Sequence, residues 1–195
     1  MGARTLHAFT EVVPALPRAA VPQMVGSVPT ADLDVNSLEV LRRLDASTRG
    51  PTYPLHVPMI LDSAETAASL RSVDYVAGTV SRFRDITCAL VGIGAWQPHG
   101  SSVREALPPG IVRELDRCGA VADVCSTILD AQGRVVGNTV PARCISITTE
   151  ELRGPRRHRH RRWRRQGRRD SGHRPCRAHH RLITDSAAAD ALVKG

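Results

Sequence analysis

Apolar residues along this chain recur in two rhythms, a helical spacing of three or four and short continuous runs, and the alternation of the two predicts helices interleaved with buried strands. Leu6, Phe9, Val12 and Val13 fall at helical spacing, and Pro14 and Pro17 end that helix. Residues 21–25 (VPQMV) form a short buried strand closed by Gly26, and residues 35–44 an amphipathic helix with Val35, Leu38, Leu41 and Leu44 on one face. Residues 53–57 give a second strand, Ser63 and Glu65 open an Ala-rich helix, and a further helix covers 73–83. Residues 86–93 (ITCALVGI) are apolar nearly throughout, as a parallel strand buried on both faces is. That run ends in Gly92 and Gly94, where open α/β sheets present their ligands.

Beyond Pro108 and Pro109 the pattern continues with a helix over 111–118 and one strand over 120–129 (AVADVCSTIL). A turn follows at 130–133, where AQG supplies turn chemistry, and Val135 and Val136 return antiparallel. Residues 144–147 (CISI) form another buried strand, and Thr149 with Glu151 and Leu152 starts a helix. Residues 182–193 (LITDSAAADALV) resume the same grammar, a strand, a Thr-Asp-Ser cap and an Ala-rich helix. Strands alternating with helices predict a mostly parallel α/β sheet.

Between these regular parts the composition breaks. Residues 153–181 hold thirteen of the 26 arginines and five of the eight histidines, against one acid, Asp170. The net charge of +8 therefore divides into +12 for this tract and −4 for the remainder, which is mildly acidic. With 195 residues, 42% of them apolar and only 3% aromatic, the rest suits one domain whose core is Leu, Val, Ile and Ala. Five cysteines show no CxxC spacing, and four of them (Cys88, Cys118, Cys125, Cys144) sit in apolar runs, which predicts reduced, buried thiols in a cytoplasmic protein. No apolar run approaches the length of a membrane span, so no membrane contact is expected.

Read in order, GARTL, VPQMVGS, VNSLEVLRRL, GPTYPLHVPMILDSAE, DITCALVGIGAW, GAVADVCSTILDAQG, RCISITTEELR and LITDSAAADAL resemble the sugar-binding domain of the SorC and DeoR-type transcriptional regulators. The succession of motifs is more specific than any one of them. The resemblance implies an α/β fold, a mostly parallel Rossmann-like sheet of the glucosamine-6-phosphate deaminase, ribose-5-phosphate isomerase and CoA-transferase type. It also implies a phosphorylated sugar effector, no cofactor, and an oligomer switched on DNA through a helix-turn-helix. Two departures accompany it. GARTL begins at residue 2, where the family has a strand and a DNA-binding domain before it, so the domain is expected to be incomplete. Where the family has a strand, a glycine turn and a helix, this chain has the arginine tract.

Codon degeneracy connects the two. Displacing CGN, CAY and TGG codons by one nucleotide lets residues 157–163 (RHRHRRW) spell Val-Ile-Gly-Ile-Ala-Gly-Gly, and Gln166 permits lysine, which restores the family's turn in register. The expected organisation is an effector domain over 1–152, a frame-shifted, disordered segment over 153–181, and a returning strand and helix over 182–195. Weak stability is expected with it.

The candidate effector residues are Gly2, Arg4, Thr5, Asn36, Gly92, Gly94, Arg104 and Asp123. Gly2, Arg4 and Thr5 combine free backbone amides, close approach and a hydroxyl at a helix start, as phosphate recognition requires, although Thr5 as a plain cap fits equally. Gly92 and Gly94 suit a ligand edge or a turn. Asp123 stands in an apolar strand, where a carboxyl is costly unless paired or bound to ligand, and it matches the family's acid that reaches sugar hydroxyls. Asn36 doubles as a helix cap and Arg104 as a solvated loop charge. His158, His160, Cys176, His179 and His180 fit no familiar zinc spacing, so no metal is expected. The leading reading is a sugar-binding effector domain reduced to a remnant and not an enzyme. Its alternatives are a sugar-phosphate isomerase or deaminase and an Arg-rich nucleic-acid binder acting by counterion release.

Overall fold

A computed structural model describes residues 2–28, 37–97 and 100–153. The arginine tract from residue 154 and the strand and helix expected over 182–193 lie outside the described residues, as do their zinc and nucleic-acid alternatives. The helices α1 (Gly2–Val12), α2 (Ser37–Thr48), α3 (Ala64–Arg71) and α4 (Asp74–Val80) alternate with β1 (Val21–Pro22) and β2 (Thr52–Tyr53), followed by a 3-10 turn at Phe83–Asp85. Then come β3 (Ile93–Ala95), α5 (Ser102–Ala106), α6 (Pro109–Arg117), β4 (Ala120–Val124), β5 (Thr127–Asp130), β6 (Val135–Val136), α7 (Thr139–Ala142) and α8 (Thr149–Arg153). Among the described residues no helix is long and apolar enough to cross a membrane.

β1 and β2 pair in parallel, and a side chain extends their ladder. Past Pro22 the buried Gln23 donates its Nε2 to the Val25 carbonyl (2.7 Å) and to Ser37 Oγ (3.1 Å), and its Oε1 accepts from the Leu55 amide (3.1 Å). Both ends of the amide are thus satisfied, and α2 is tied to the strands through Ser37. Farther along, Ser27 N donates to Val57 O (2.8 Å), Gly26 N to Ile145 O (2.9 Å) and Ile145 N to Met59 O (2.8 Å). Residues 144–147, expected as a strand, are buried as predicted but join by isolated bridges, Val25 to Ser146 and Ile60 to Cys144. Arg71 of α3 pins them, its Nη2 donating to Cys144 O (2.8 Å) and Ser146 O (3.1 Å).

The larger sheet is antiparallel, in the order β3-β4-β5-β6, which corrects the expectation of a mostly parallel one. Two local causes produce it. The run 120–129 is two strands, because Cys125 and Ser126 form a tight turn in which Cys125 takes a φ of 56°, a positive value that two-residue hairpins require. Alternation along a continuous apolar run cannot reveal such a fold-back. The return of Val135 and Val136 is antiparallel as expected, pairing with Leu129 and Ile128. Here Asp130 accepts from the Gln132 and Arg134 amides (both 2.9 Å) and from Arg134 Nε (2.8 Å), and the Arg134 amide above all holds its carboxyl below the usual range.

The run 86–93 departs further from expectation: only Ile93 enters a strand, and Cys88 and Val91 are exposed. An apolar run becomes a buried strand only when ladder partners flank it, and among the described residues none pairs with 86–92. Cys88 and Cys118 are therefore exposed and Cys125 half-buried, against the expectation of buried thiols, while Cys144 is buried; all four are free.

Two apolar clusters hold the described residues together. Met59, Trp96, Val103, Leu107, Leu115, Ile128, Val140 and Cys144 form one; Leu55, Val57, Ala67, Val76, Phe83, Ile145 and Ile147 form the other. Each fully buried aliphatic side chain stabilises by about 1.5–3 kcal/mol relative to exposure. In the first, α6 presents Leu115 to Gly137, whose φ is 67° and whose added Cβ would lie 2.0 Å from Leu115 Cδ2. Only glycine fits there. α6 opens with Pro109 in its first turn, where the missing amide proton costs nothing. Helix α8 starts at Thr149, as expected, and Thr148 caps it: Glu151 N donates to Thr148 Oγ1 (3.1 Å) and Thr148 N to Glu151 Oε2 (2.8 Å), a reciprocal capping box.

Candidate functional site

A cleft of about 300 Å³ opens between the helices at the front of the chain and the edge of the larger sheet. α1 contributes Leu6, Phe9 and Thr10, and α2 contributes Ser37, Leu38 and Leu41. The opposite wall is Gly92 and Gly94, then Gly100, Ser102 and Val103, and at its base Asp123 and Cys125. The lining is mostly apolar, and among its described residues none is Lys, Arg or His. Asp123 is thus the acid of an otherwise uncharged cavity.

Local geometry explains how the acid comes to lie there. Asp123 and Gly94 are directly opposed on β4 and β3, so their side chains share one face of the sheet. A Cβ on Gly94 would stand 2.2 Å from Asp123 Oδ1; the carboxyl occupies the space that the glycine leaves. Asp123 is 6% exposed, and its Oδ1 is buried without a hydrogen-bond partner. Burial pushes its carboxyl above the ordinary value of 3.8, while a hydrogen bond from Ser101 acts in the other direction. Beside it, burial first and the Asp123 charge second push the Cys125 thiol up to about 12, so it stays neutral and is no nucleophile. Among the described residues no group of three His, Cys, Asp or Glu side chains is placed to hold a metal ion.

Of the residues singled out in the sequence, Gly92, Gly94 and Asp123 are brought together in this cleft. Gly2, Arg4 and Thr5 form the first turn of α1, the helix whose next turns line it. Asn36 lies outside the described residues. Arg104, a candidate effector residue whose plainer reading was a solvated loop charge, is not among the cleft's lining residues: it belongs to α5, its Nη2 lies 3.4 Å from Asp116 Oδ2, and its guanidinium sits 5.8 Å from the centre of the Trp96 ring. Trp96 is fully buried and donates its Nε1 hydrogen to Asp116 Oδ1 (2.7 Å); this bond first, with the charge of Arg104, holds the Asp116 carboxyl below its ordinary range.

Sequence reasoning missed Ser101. Its hydroxyl accepts from the Arg104 amide (2.9 Å) to cap α5, and Ser101 is buried behind the cleft wall formed by Ser102 and Val103. The available signal was a serine ahead of a short apolar and charged stretch, SSVREAL, which predicts that cap.

Comparison with known proteins bears on the fold and the family. The chain is similar to the full-length sorbitol operon regulator SorC of Klebsiella pneumoniae, with a TM-score of 0.71 and 18% identity, over 80% of this chain and 52% of that one. It is also similar to a transcriptional regulator of Streptococcus pneumoniae (TM-score 0.68, 16% identity, 77% of this chain and 59% of that one). A DeoR family transcriptional regulator of Listeria monocytogenes gives a TM-score of 0.64 at 18% identity, over 77% of this chain and 60% of that one. At these identities the likeness is one of fold, and the chain spans 52–60% of the length of these three structures. No curated protein sequence matches the chain. The family model of the sugar-binding domain matches residues 1–158, well over half of the sequence, and the chain belongs to that sugar-binding domain family.

Proposed function

We propose that the cleft binds a phosphorylated sugar, and that the chain is the effector-sensing part of a sugar-responsive transcriptional regulator rather than an enzyme. The observation that carries this reading is the buried Asp123 Oδ1 without a partner, at the base of a cleft in a sugar-binding domain. A buried acceptor left empty costs about 1–3 kcal/mol, and a sugar hydroxyl donating to it recovers that cost. The glycines at 92 and 94 let a pyranose or furanose ring approach the backbone, and the apolar walls receive its C–H faces. With no basic side chain among the described lining residues, the phosphate falls to the backbone amides of the first turn of α1, which includes Gly2, Arg4 and Thr5.

The rest of the proposal concerns the longer proteins to which this chain is similar. We propose that, as part of such a longer regulator, this domain is Rossmann-like and cytoplasmic, assembles as an oligomer and passes effector occupancy to a helix-turn-helix on DNA. Titration calorimetry of the full chain with ribose 5-phosphate, glucose 6-phosphate and fructose 6-phosphate, each beside its unphosphorylated sugar, tests the binding step. At least one phosphate ester is expected to bind more tightly than its parent sugar. Asp123→Asn is expected to weaken it roughly 10–100-fold, the worth of about 1.5–3 kcal/mol for a hydrogen bond to a charged group. Absence of binding by all six compounds would sink the reading.

A further inference from the structure

Asp123 is the one charged side chain among the described residues that line the cleft, and part of it is left without an answer from the chain. It is 6% exposed, and its Oδ1 is buried with no hydrogen-bond partner. Polar side chains of the same lining give their hydrogens to other acceptors: Thr10 donates to the His7 carbonyl (2.6 Å), and Gln23 to the Val25 carbonyl (2.7 Å) and Ser37 Oγ (3.1 Å). The residues opposite Asp123 in the sheet supply no donor either, since Gly94 on β3 has no side chain and Ile128 on β5 no polar atom. The oxygen is thus open to a donor that comes with the ligand.

Three kinds of partner compete for it. A metal ion needs further carboxylate, imidazole or thiolate ligands, and among the described residues no group of three His, Cys, Asp or Glu side chains is placed to supply them. A sugar hydroxyl fills the acceptor but leaves a carboxylate's charge uncompensated, in a mostly apolar cavity whose described lining holds no Lys, Arg or His. A primary ammonium does both at once, and a charge-assisted hydrogen bond is roughly twice as strong as a neutral one. The phosphate sharpens the choice. Placed at the α1 amides, it brings about two further negative charges into a cleft whose described side chains carry only that of Asp123, and a positive group on the same ligand offsets the repulsion.

We propose that the cleft selects an amino sugar phosphate, whose ammonium pairs with Asp123 Oδ1 at the base while its phosphate takes the backbone amides of the first turn of α1. The proposal deepens the sugar-phosphate reading above and rests on it for the phosphate end; the ammonium end rests on Asp123. α1 stands on one wall and Asp123 at the base, so the ligand carries its two charged groups at separate positions of the ring, as a 2-amino-2-deoxyhexose 6-phosphate does. Asp123 is then the specificity-determining residue of the cleft, because its charge is what separates an amine from the hydroxyl it replaces. Gly94 serves the same end: a Cβ there would stand 2.2 Å from Oδ1, in the space the carboxyl needs.

Titration calorimetry of the full chain near neutral pH tests this with glucosamine 6-phosphate and galactosamine 6-phosphate, each beside its hydroxyl counterpart, glucose 6-phosphate or galactose 6-phosphate. N-acetylglucosamine 6-phosphate, whose nitrogen is uncharged, and free glucosamine and glucose complete the series. At least one amino sugar phosphate is expected to bind about tenfold or more tightly than its hydroxyl counterpart, and the N-acetyl compound to show no such gain. Asp123→Asn keeps the size and an acceptor but removes the charge, so the affinities within each pair are expected to converge. Thermal melts, in which this variant is expected to be the more stable, show that it folds. Equal affinity within both pairs in the unaltered chain overturns the proposal, and so does a preference that survives Asp123→Asn; if the phosphate esters still bind more tightly than the free sugars, the sugar-phosphate reading stands without it. If instead free glucosamine binds as tightly as its phosphate and glucose does not bind, the ammonium subsite stands and the phosphate reading falls. Absence of binding by every compound of the series overturns both.

Discussion

Asp123 sets folding against binding. Its folded carboxyl titrates above the ordinary value of 3.8 because burial opposes the charge. The folded chain therefore holds that proton more tightly than the unfolded chain does. The resulting stabilisation is complete below the unfolded value and is lost as pH rises through the raised folded value. At neutral pH burying this carboxyl is therefore a cost, so Asp123→Asn is expected to raise the unfolding midpoint at pH 7. A gain of about 1 kcal/mol corresponds to about 2–4 °C for a chain of this size, and the gain should shrink toward pH 4. Calorimetric melts of both proteins at the two pH values check it; a lower midpoint for the variant at pH 7 would count against the buried charge. Gly94 is the counterpart on β3. Gly94→Ala places a methyl 2.2 Å from Asp123 Oδ1, which displaces the carboxyl into the cleft or parts β3 from β4. It is expected to lower stability by about 1–3 kcal/mol in urea unfolding and to weaken the sugar phosphate at least tenfold. Both residues were legible in the sequence, one as a carboxyl in an apolar run and the other as a glycine ending one. Their facing each other was not, because sheet register brings together positions 29 residues apart in sequence.

At the scale of elements, helices were the more legible. The apolar spacing predicted α1, α2, α3 and α6 near their observed places, because a helix satisfies its backbone locally and needs only one sticky face. Strands depend on partners far away. The run 86–93 has the composition of a central strand and contributes one residue to the sheet, and 120–129 folds back upon itself. The turn that causes the fold-back is strained: Cys125 has a φ of 56°, a region where a Cβ crowds the backbone. Cys125→Gly should therefore stabilise the β4–β5 hairpin by about 1 kcal/mol, less what its half-buried side chain contributed. Urea unfolding measures the difference, and a loss larger than 1 kcal/mol would show the thiol's packing to outweigh the strain.

At the scale of the whole chain, charge and composition divide the sequence more sharply than any fold boundary. An acidic remainder of −4 and a tract of +12 do not share the composition of one domain. We expect the nucleotides encoding 153–181, displaced by one base, to spell an apolar glycine-rich segment containing Val-Ile-Gly-Ile-Ala-Gly-Gly and a lysine. Sequencing the gene and its transcript decides this; a displaced frame that yields stop codons or polar sequence removes the idea. Ligand binding has a whole-chain consequence as well. A sugar phosphate at a hundred times its Kd is expected to stabilise the fold by about 2.7 kcal/mol, and the roughly 10–100-fold weaker binding of Asp123→Asn should cut that gain to about 0.4–1.4 kcal/mol at the same concentration.

The family, the helices, the odd composition of the tract and the polar exceptions in apolar runs were all present in the order of residues, since each depends on neighbours a few positions apart. The direction of the sheet, the pairing of Gly94 with Asp123 and the burial of Trp96 against Asp116 were decided only by folding. Register and packing join positions distant in the chain, and an oxygen is left without a partner only once every other group around it has found one.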